Sequence, residues 1–205
     1  DGKPISEESI INPCSPYAKT KYAVENLLND IQVKKTNLWK IANLRFFNPI
    51  GAHNSGIIGE NPKGMPNNIL PLIIKVASKE IEELKVYGND WPTKDKTCVR
   101  DYIHIEDIAE GHLKVYQWLL ENNPQIVNVN LGTGIGTSIL ELIRTFEKVN
   151  EVSVPFVFDK RRVGDQPILI ADNQFAYQLF KWKPKRNINE MCHDAWLWHK
   201  NNFKN

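Results

Sequence analysis

Helix-forming and strand-forming stretches alternate along most of this 205-residue chain, and no other feature constrains its fold as strongly. Ser15 followed by Pro16 reads as a helix start: a hydroxyl cap, then a proline whose missing N–H costs nothing in the first turn. Val24, Leu27, Leu28 and Ile31 recur at i, i+3, i+4 and i+7, which predicts a helix over 16–33 with one buried face. Leu38 to Phe47 has strand composition and ends at Asn48-Pro49, where the chain is expected to turn. Further helices are expected over 69–78, 108–120 and 138–149, with short ones near 173–180 and 188–201. Ile108, Leu113 and Val115 are the apolar residues that the 108–120 helix has to hide. Strands are expected over 84–87, 100–105, 126–131 and 154–158. The longest loop, 51–68, holds Gly51, Gly56, Gly59, Gly64, Pro62 and Pro66, and loops of that length in compact domains are usually functional. Alternation of this kind specifies an α/β fold.

Lys and Arg total 26 against 24 Asp and Glu, a net +2, so the chain lacks the basic excess of a nucleic-acid or anionic-membrane binder. No apolar run approaches the roughly 18 residues of a membrane span. Cys14, Cys98 and Cys192 are odd in number and far apart, which excludes a disulfide framework and any C-x-x-C pair. Reduced thiols in the cytoplasm are the expectation. The first residues are polar and acidic, unlike a signal or transit peptide, and without an initiating Met they point to a fragment of a longer protein.

Tyr17 and Lys21 form Y-x-x-x-K at the start of the 16–33 helix, where i, i+4 spacing puts both side chains on one face. An ammonium beside a phenol favours the phenolate, which suits general acid–base work at an alcohol. Six tyrosines and 26 basic residues make about 0.8 such pairs by chance, and Tyr177 with Lys181 is a second. Only the capped helix start sets the first apart. The segment L-G-T-G-I-G-T-S (131–138) follows a strand and opens a helix as a phosphate loop would. Its glycines do not fit G-x-G-x-x-G, and a structural turn is the favoured reading. The five histidines form no metal-binding pattern, so no metal site is expected. Arg100-Asp101 and Arg161-Arg162-Val163-Gly164-Asp165 match two readings, a phosphate fork with a carboxylate for a ribose, or solvated surface ion pairs.

Taken together, several segments carry a resemblance: S-P-Y-A-K-T-K (15–21), L-R-F-F-N-P-I-G-A-H (44–53), G-E-N-P-K-G-M-P-N-N-I-L-P (59–71) and V-Y-G-N-D (86–90). They continue with V-R-D-Y-I-H-I-E-D-I-A-E-G-H (99–112), N-L-G-T-G (130–134) and R-R-V-G-D (161–165). In order, over nearly the whole chain, they resemble the extended short-chain dehydrogenase/reductases, and within them the UDP-glucose/UDP-galactose 4-epimerases. The resemblance implies the carboxyl-terminal end of an NAD-binding Rossmann domain (1–50) plus a smaller α/β UDP-sugar-binding domain (51–205). It implies that Tyr17 shuttles the proton of the hexose 4-hydroxyl while Lys21 holds the nicotinamide ribose, with Phe47 against the nicotinamide end of NAD. Asn48, Asn67, Asn68 and Ile69 would contact the nucleotide sugar, and Lys85, Val86 and Tyr87 would lie along the uracil. Arg100 and Arg162 would clamp the diphosphate, with Tyr102 among the substrate contacts and Asp165 on the uridine ribose.

The implied reaction is reversible oxidation at carbon 4 of UDP-glucose or UDP-galactose, by a homodimer when full length. Leu169 stands where plain-hexose enzymes of this group carry Tyr, which implies room for an N-acetyl group. Phe46 departs from the group's usual Tyr, and the dinucleotide fingerprint and upstream Ser or Thr are absent, so the chain by itself is expected to be inactive. The rivals are a nucleotide-sugar 4,6-dehydratase or decarboxylase, and a non-catalytic UDP-sugar-binding module. Retention of Tyr17 and Lys21 argues against the last.

Overall fold

Ser15 caps the first helix in the computed structural model, which describes residues 2–33 and 38–203. Its Oγ accepts from the Ala18 N–H at 3.1 Å and its carbonyl from the Lys19 N–H at 3.0 Å. The helix so opened is α1 (Pro16–Val33). There follow β1 (Ile41–Phe46), β2 (Asn48–Ile50), α2 (Ile69–Ala77), β3 (Leu84–Tyr87), β4 (Val99–His104) and α3 (Ile105–Glu121). The chain continues with β5 (Ile126–Leu131), β6 (Gly136–Ser138), α4 (Ile139–Asn150), β7 (Phe156–Asp159), β8 (Ile168–Leu169), α5 (Gln174–Phe180) and α6 (Ile188–Asn202). The expected helices and longer strands are present. Three strands were not expected, β2, β6 and β8, each two or three residues long and too short to show a period.

At Asn48-Pro49 the chain does not turn back as expected. It leaves β5, with which β1 pairs in parallel, and enters β2, which pairs in parallel with β4. β4 also takes β6 antiparallel and β8 parallel, while β3 and β7 form a separate parallel pair. Two apolar cores result. One gathers α2, β3, α4 and α6 around Ile73, Leu84, Phe146 and Met191. The other lies under β1 and β5, where Ile108, Val129, Leu131, Phe180 and Trp182 meet, so packing with β1 extends well past residue 50.

Two expected faces are buried only in part. On α1, Val24 and Leu27 are exposed, while Leu28 and Ile31 are half-buried. Glu25 is held there by Arg45 of β1 through bonds of 2.9 and 2.7 Å. On α3, Ile108, Gly111 and Val115 share the core face, whereas Leu113 is exposed. Five residues turn a helix about 140° past a full turn, which carries Leu113 away from Ile108.

Buried polar groups lock the segments together. The Asp101 carboxylate, fully buried, accepts from the N–H groups of Thr133 (2.8 Å), Gly134 (2.9 Å) and Ala171 (3.1 Å). The glycine-rich turn therefore closes on a carboxylate of its own chain. A Cβ on Gly132 would lie 2.5 Å from Ala171 Cβ and 2.7 Å from Asp101 Oδ2, so only glycine fits there. His104 caps α3 by accepting from the Glu106 N–H at Nδ1, which leaves the proton on Nε2, 3.3 Å from Asp194. Burial first, and then Arg186, hold the His104 pKa below its ordinary value; burial does the same at His199.

Asp101→Ala should lower stability by roughly 3 kcal/mol in urea unfolding, since one buried and two part-buried N–H groups lose their acceptor. The histidines set an acid limit. Their native pKa values are depressed, so the unfolded chain takes up protons first, and stability should fall as pH drops below about 6.5. Comparing unfolding at pH 7.5 and about 5.5 checks this, and a His104→Gln variant should show a shallower decline.

Candidate functional site

β2, β3, β4, the start of α2 and the segment after β7 enclose a cleft of about 240 Å³. Its walls are Asn48, Asn67, Asn68, Ile69, Leu72, Lys85, Val86, Tyr87, Cys98, Arg100, Tyr102, Ile139, Arg162 and Asp165. Every residue expected to touch the nucleotide sugar is among them except Leu169. Leu72, Cys98 and Ile139 were not expected. Leu72 was within reach of sequence reasoning, because it lies one helical turn after Ile69. Ile139 reaches the cleft only through the antiparallel pairing of β6 with β4, which no local signal announces.

Register explains the convergence. Asn48 on β2 is the partner of Tyr102 on β4, and Arg100, two residues before Tyr102, shares its face. Asn68 occupies the N-cap of α2 with an extended backbone but makes no side-chain cap bond, so its amide is not committed to the helix. Lys85 and Tyr87 share a face of β3, and Asp159 of β7 lies 3.5 Å from the Lys85 ammonium. Arg100 donates to the Gln166 carbonyl at 2.7 Å and lies 3.8 Å from Asp165, which ties the segment after β7 to β4. The Arg162 guanidinium carbon stands 3.9 Å from the centre of the Tyr87 ring. Lys85, Arg100 and Arg162 line the cleft with one carboxylate, Asp165, and with Asp159 beside Lys85 the balance is still positive, suited to a polyanion.

The floor is unusual. Tyr102 is 3% exposed and its hydroxyl has no hydrogen-bond partner among the described residues. Burial raises the pKa of this phenol, and burial likewise raises that of the Cys98 thiol. Both groups stay protonated, so the floor offers a donor rather than a charge.

The remaining expected residues lie outside the cleft lining. Tyr17 is exposed at the start of α1, with the Lys21 ammonium 5.3 Å from the centre of its ring. Among the described residues neither side chain makes a hydrogen bond to the protein, so both polar ends remain available. Tyr177 and Lys181 show nearly the same separation, 5.4 Å, so local geometry alone does not distinguish the two pairs. Phe47 is half-buried at the joint of β1 and β2, its N–H on the Leu131 carbonyl at 3.3 Å. That places it at the carboxyl ends of parallel strands, where open α/β sheets bind ligands. Leu169 sits on β8 as the strand partner of Arg100, half-buried beside the cleft.

Residues 1–130 match the NAD dependent epimerase/dehydratase family. The chain is 46% identical over 199 residues to the UDP-glucose 4-epimerase of Bacillus subtilis (strain 168), covering 97% of this chain and 58% of that protein. The crystal structure of a UDP-glucose-4-epimerase from Stenotrophomonas maltophila, with bound NAD and formylated UDP-arabinopyranose, superposes with a TM-score of 0.93 at 42% identity. It is covered over 58% of its length by 97% of this chain. The UDP-glucose 4-epimerase from Bifidobacterium longum, in complex with NAD+ and UDP, gives 0.92 at 40% identity, with 97% of this chain covering 59% of it. The chain thus spans somewhat over half the length of these relatives.

Tyr102→Phe should raise the stability of the ligand-free protein by about 1 kcal/mol, because it removes a buried hydroxyl without a partner. Urea unfolding measures the difference. A loss of stability would show that the hydroxyl is satisfied in solution.

Proposed function

Since the chain belongs to the NAD dependent epimerase/dehydratase family, we propose that it carries the sugar-holding cleft and the proton-transfer pair of a UDP-glucose 4-epimerase. The observation that carries this reading is the meeting of Asn48, Asn67, Asn68, Lys85, Tyr87, Arg100, Arg162 and Asp165 around one cleft. They come from five separate stretches of chain. Three cations there suit a nucleoside diphosphate, and a carboxylate suits its ribose. NAD, as cofactor, fits the remaining residues: an exposed phenol and ammonium one turn apart have no other partner among the described residues, and Phe47 offers a ring at the carboxyl end of β1.

NAD supplies the acceptor, and later the donor, of the hydride at hexose carbon 4. The residues of this chain carry the proton and hold the nucleotide. Tyr17 takes the proton of the 4-hydroxyl as oxidation proceeds, and Lys21 beside it favours the phenolate that does so. Arg100 and Arg162 hold the diphosphate from two sides and Asp165 the ribose, so binding energy fixes the nucleotide while the sugar stays free to turn. The oxidised sugar rotates about its link to the diphosphate, and Tyr17 returns the proton on reduction of the other face.

In this reading residues 1–50 form the end of a Rossmann domain and 51–205 mainly the UDP-sugar domain. The full-length enzyme works as a cytoplasmic homodimer on UDP-glucose and UDP-galactose, with neither nucleic acid nor membrane as partner. No helix among the described residues is long and apolar enough to cross a membrane. Leu169, smaller than Tyr, leaves room beside Arg100 for an N-acetylated sugar as well.

Turnover of UDP-galactose by the full-length protein tests the assignment. Tyr17→Phe should cut kcat by about 2–5 kcal/mol of transition-state stabilisation and leave UDP affinity near wild type. Arg162→Ala should instead weaken UDP binding itself. Near-normal turnover in the Tyr17 variant would remove it as the proton carrier. UDP-N-acetylgalactosamine should be turned over by the wild type and rejected by Leu169→Tyr.

A further inference from the structure

Of the two adjacent arginines after β7, one faces the cleft and the other does not. Arg162 lines the cleft, and among the described residues its guanidinium makes no ion pair, only the contact with the Tyr87 ring. Arg161 is not part of the lining and is engaged elsewhere. Its Nε lies 2.7 Å from Asp90 Oδ1, its Nη2 donates to the Asp90 carbonyl at 2.7 Å, and its guanidinium carbon stands 4.0 Å from the centre of the Trp91 ring.

Trp91 is itself well fixed. Its ring is 6% exposed, its Nε1 donates to the Tyr87 carbonyl at 3.3 Å, and its N–H donates to the Lys96 carbonyl at 3.1 Å. The approach needs Gly88, which sits at φ +83°, and a Cβ there would lie 2.3 Å from Trp91 Nε1 and 2.9 Å from Arg161 Cγ. Elsewhere the chain from 160 to 164 is held at its start by the Lys160 N–H on Asp159 Oδ1 at 2.8 Å. These residues are exposed, nothing lies within 4 Å of a Cβ built on Gly164, and the one backbone bond inside the turn is Asp165 N–H to the Arg162 carbonyl at 3.3 Å.

We infer that Asp90, Trp91 and Arg161 form a clasp that positions Arg162 for the anionic ligand, an inference that rests on the cleft reading above; Asp165 is held from the other side by Arg100. The exposed Asp90–Arg161 ion pair would contribute little alone. The buried ring face and the carbonyl turn it into a fixed point. Division of labour follows. A diphosphate drawing Arg162 off Tyr87 leaves the turn in place because Arg161 stays put. Arg161, Trp91 and Asp90 are positioning residues, since none of them lines the cleft.

The test is a double-mutant cycle in the full-length protein, with UDP as probe in calorimetry. Arg161→Ala and Trp91→Leu should each weaken UDP about tenfold, raising KM with kcat nearly kept. Trp91→Phe, which retains a ring, should restore most of the affinity. The pair Arg161→Ala/Arg162→Ala should bind no worse than Arg162→Ala alone, because the first residue acts through the second. Without any ligand, amide hydrogen exchange over 160–166 should quicken several-fold in Arg161→Ala and Trp91→Leu but not in Arg162→Ala. Additive losses in the double variant, or unchanged exchange, would overturn the inference. If wild-type protein fails to bind UDP, the cleft reading fails instead, and the exchange measurement still judges the clasp. Thermal unfolding separates local from global loss, and Arg161→Ala decides the matter if Trp91→Leu does not fold.

Discussion

The Asp101 carboxylate is the contact on which the arrangement depends. It is buried, and the N–H groups it accepts from belong to two other segments, the turn after β5 and the chain after β8. An anion in such a place is tolerable only because its hydrogen bonds are satisfied. It fixes how β5 and β8 meet β4, and so holds the two cores in register. Its neighbours on β4 point in turn to other tasks: Arg100 and Tyr102 to the cleft, Ile103 to the second core, His104 to the cap of α3. One six-residue strand thus joins support and site.

The same carboxylate explains why a glycine-rich turn that looks fit for phosphate does not face the cleft. Its Thr133 and Gly134 N–H groups already have an acceptor, and an incoming anion would have to displace it. Positive charge is supplied instead by side chains converging from β3, β4 and the segment after β7. Side-chain guanidinium groups suit this task because they are held by local contacts and yet can turn toward a ligand.

Two buried groups in the cleft floor, the Tyr102 hydroxyl and the Cys98 thiol, are kept neutral by desolvation. An unpartnered hydroxyl lowers stability, and such groups persist where a bound molecule completes their bonding. The cleft is therefore polar at its rim and protonated at its floor, a division that favours negative charge at the mouth over an anion beneath it.

Sequence alone determined the elements long enough to display a period. The S-P start of α1 and the i, i+3, i+4, i+7 spacing of its apolar residues are local, because each reflects the geometry of a single helix. Chemistry-bearing segments were also legible, since a recognition motif needs its residue types whatever surrounds them. Tertiary structure alone decided the rest. β2, β6 and β8 exist because β4 offers paired edges, not because two or three residues prefer to extend. Val24 and Leu27 conform to a helical stripe yet lie exposed, because periodicity says which residues share a face and not whether anything covers it. The roles of Arg161 and Arg162 differ although the residues are identical and adjacent. Only the placement of Trp91 under one and Tyr87 under the other separates anchor from ligand-facing group, and that placement depends on how distant strands pair.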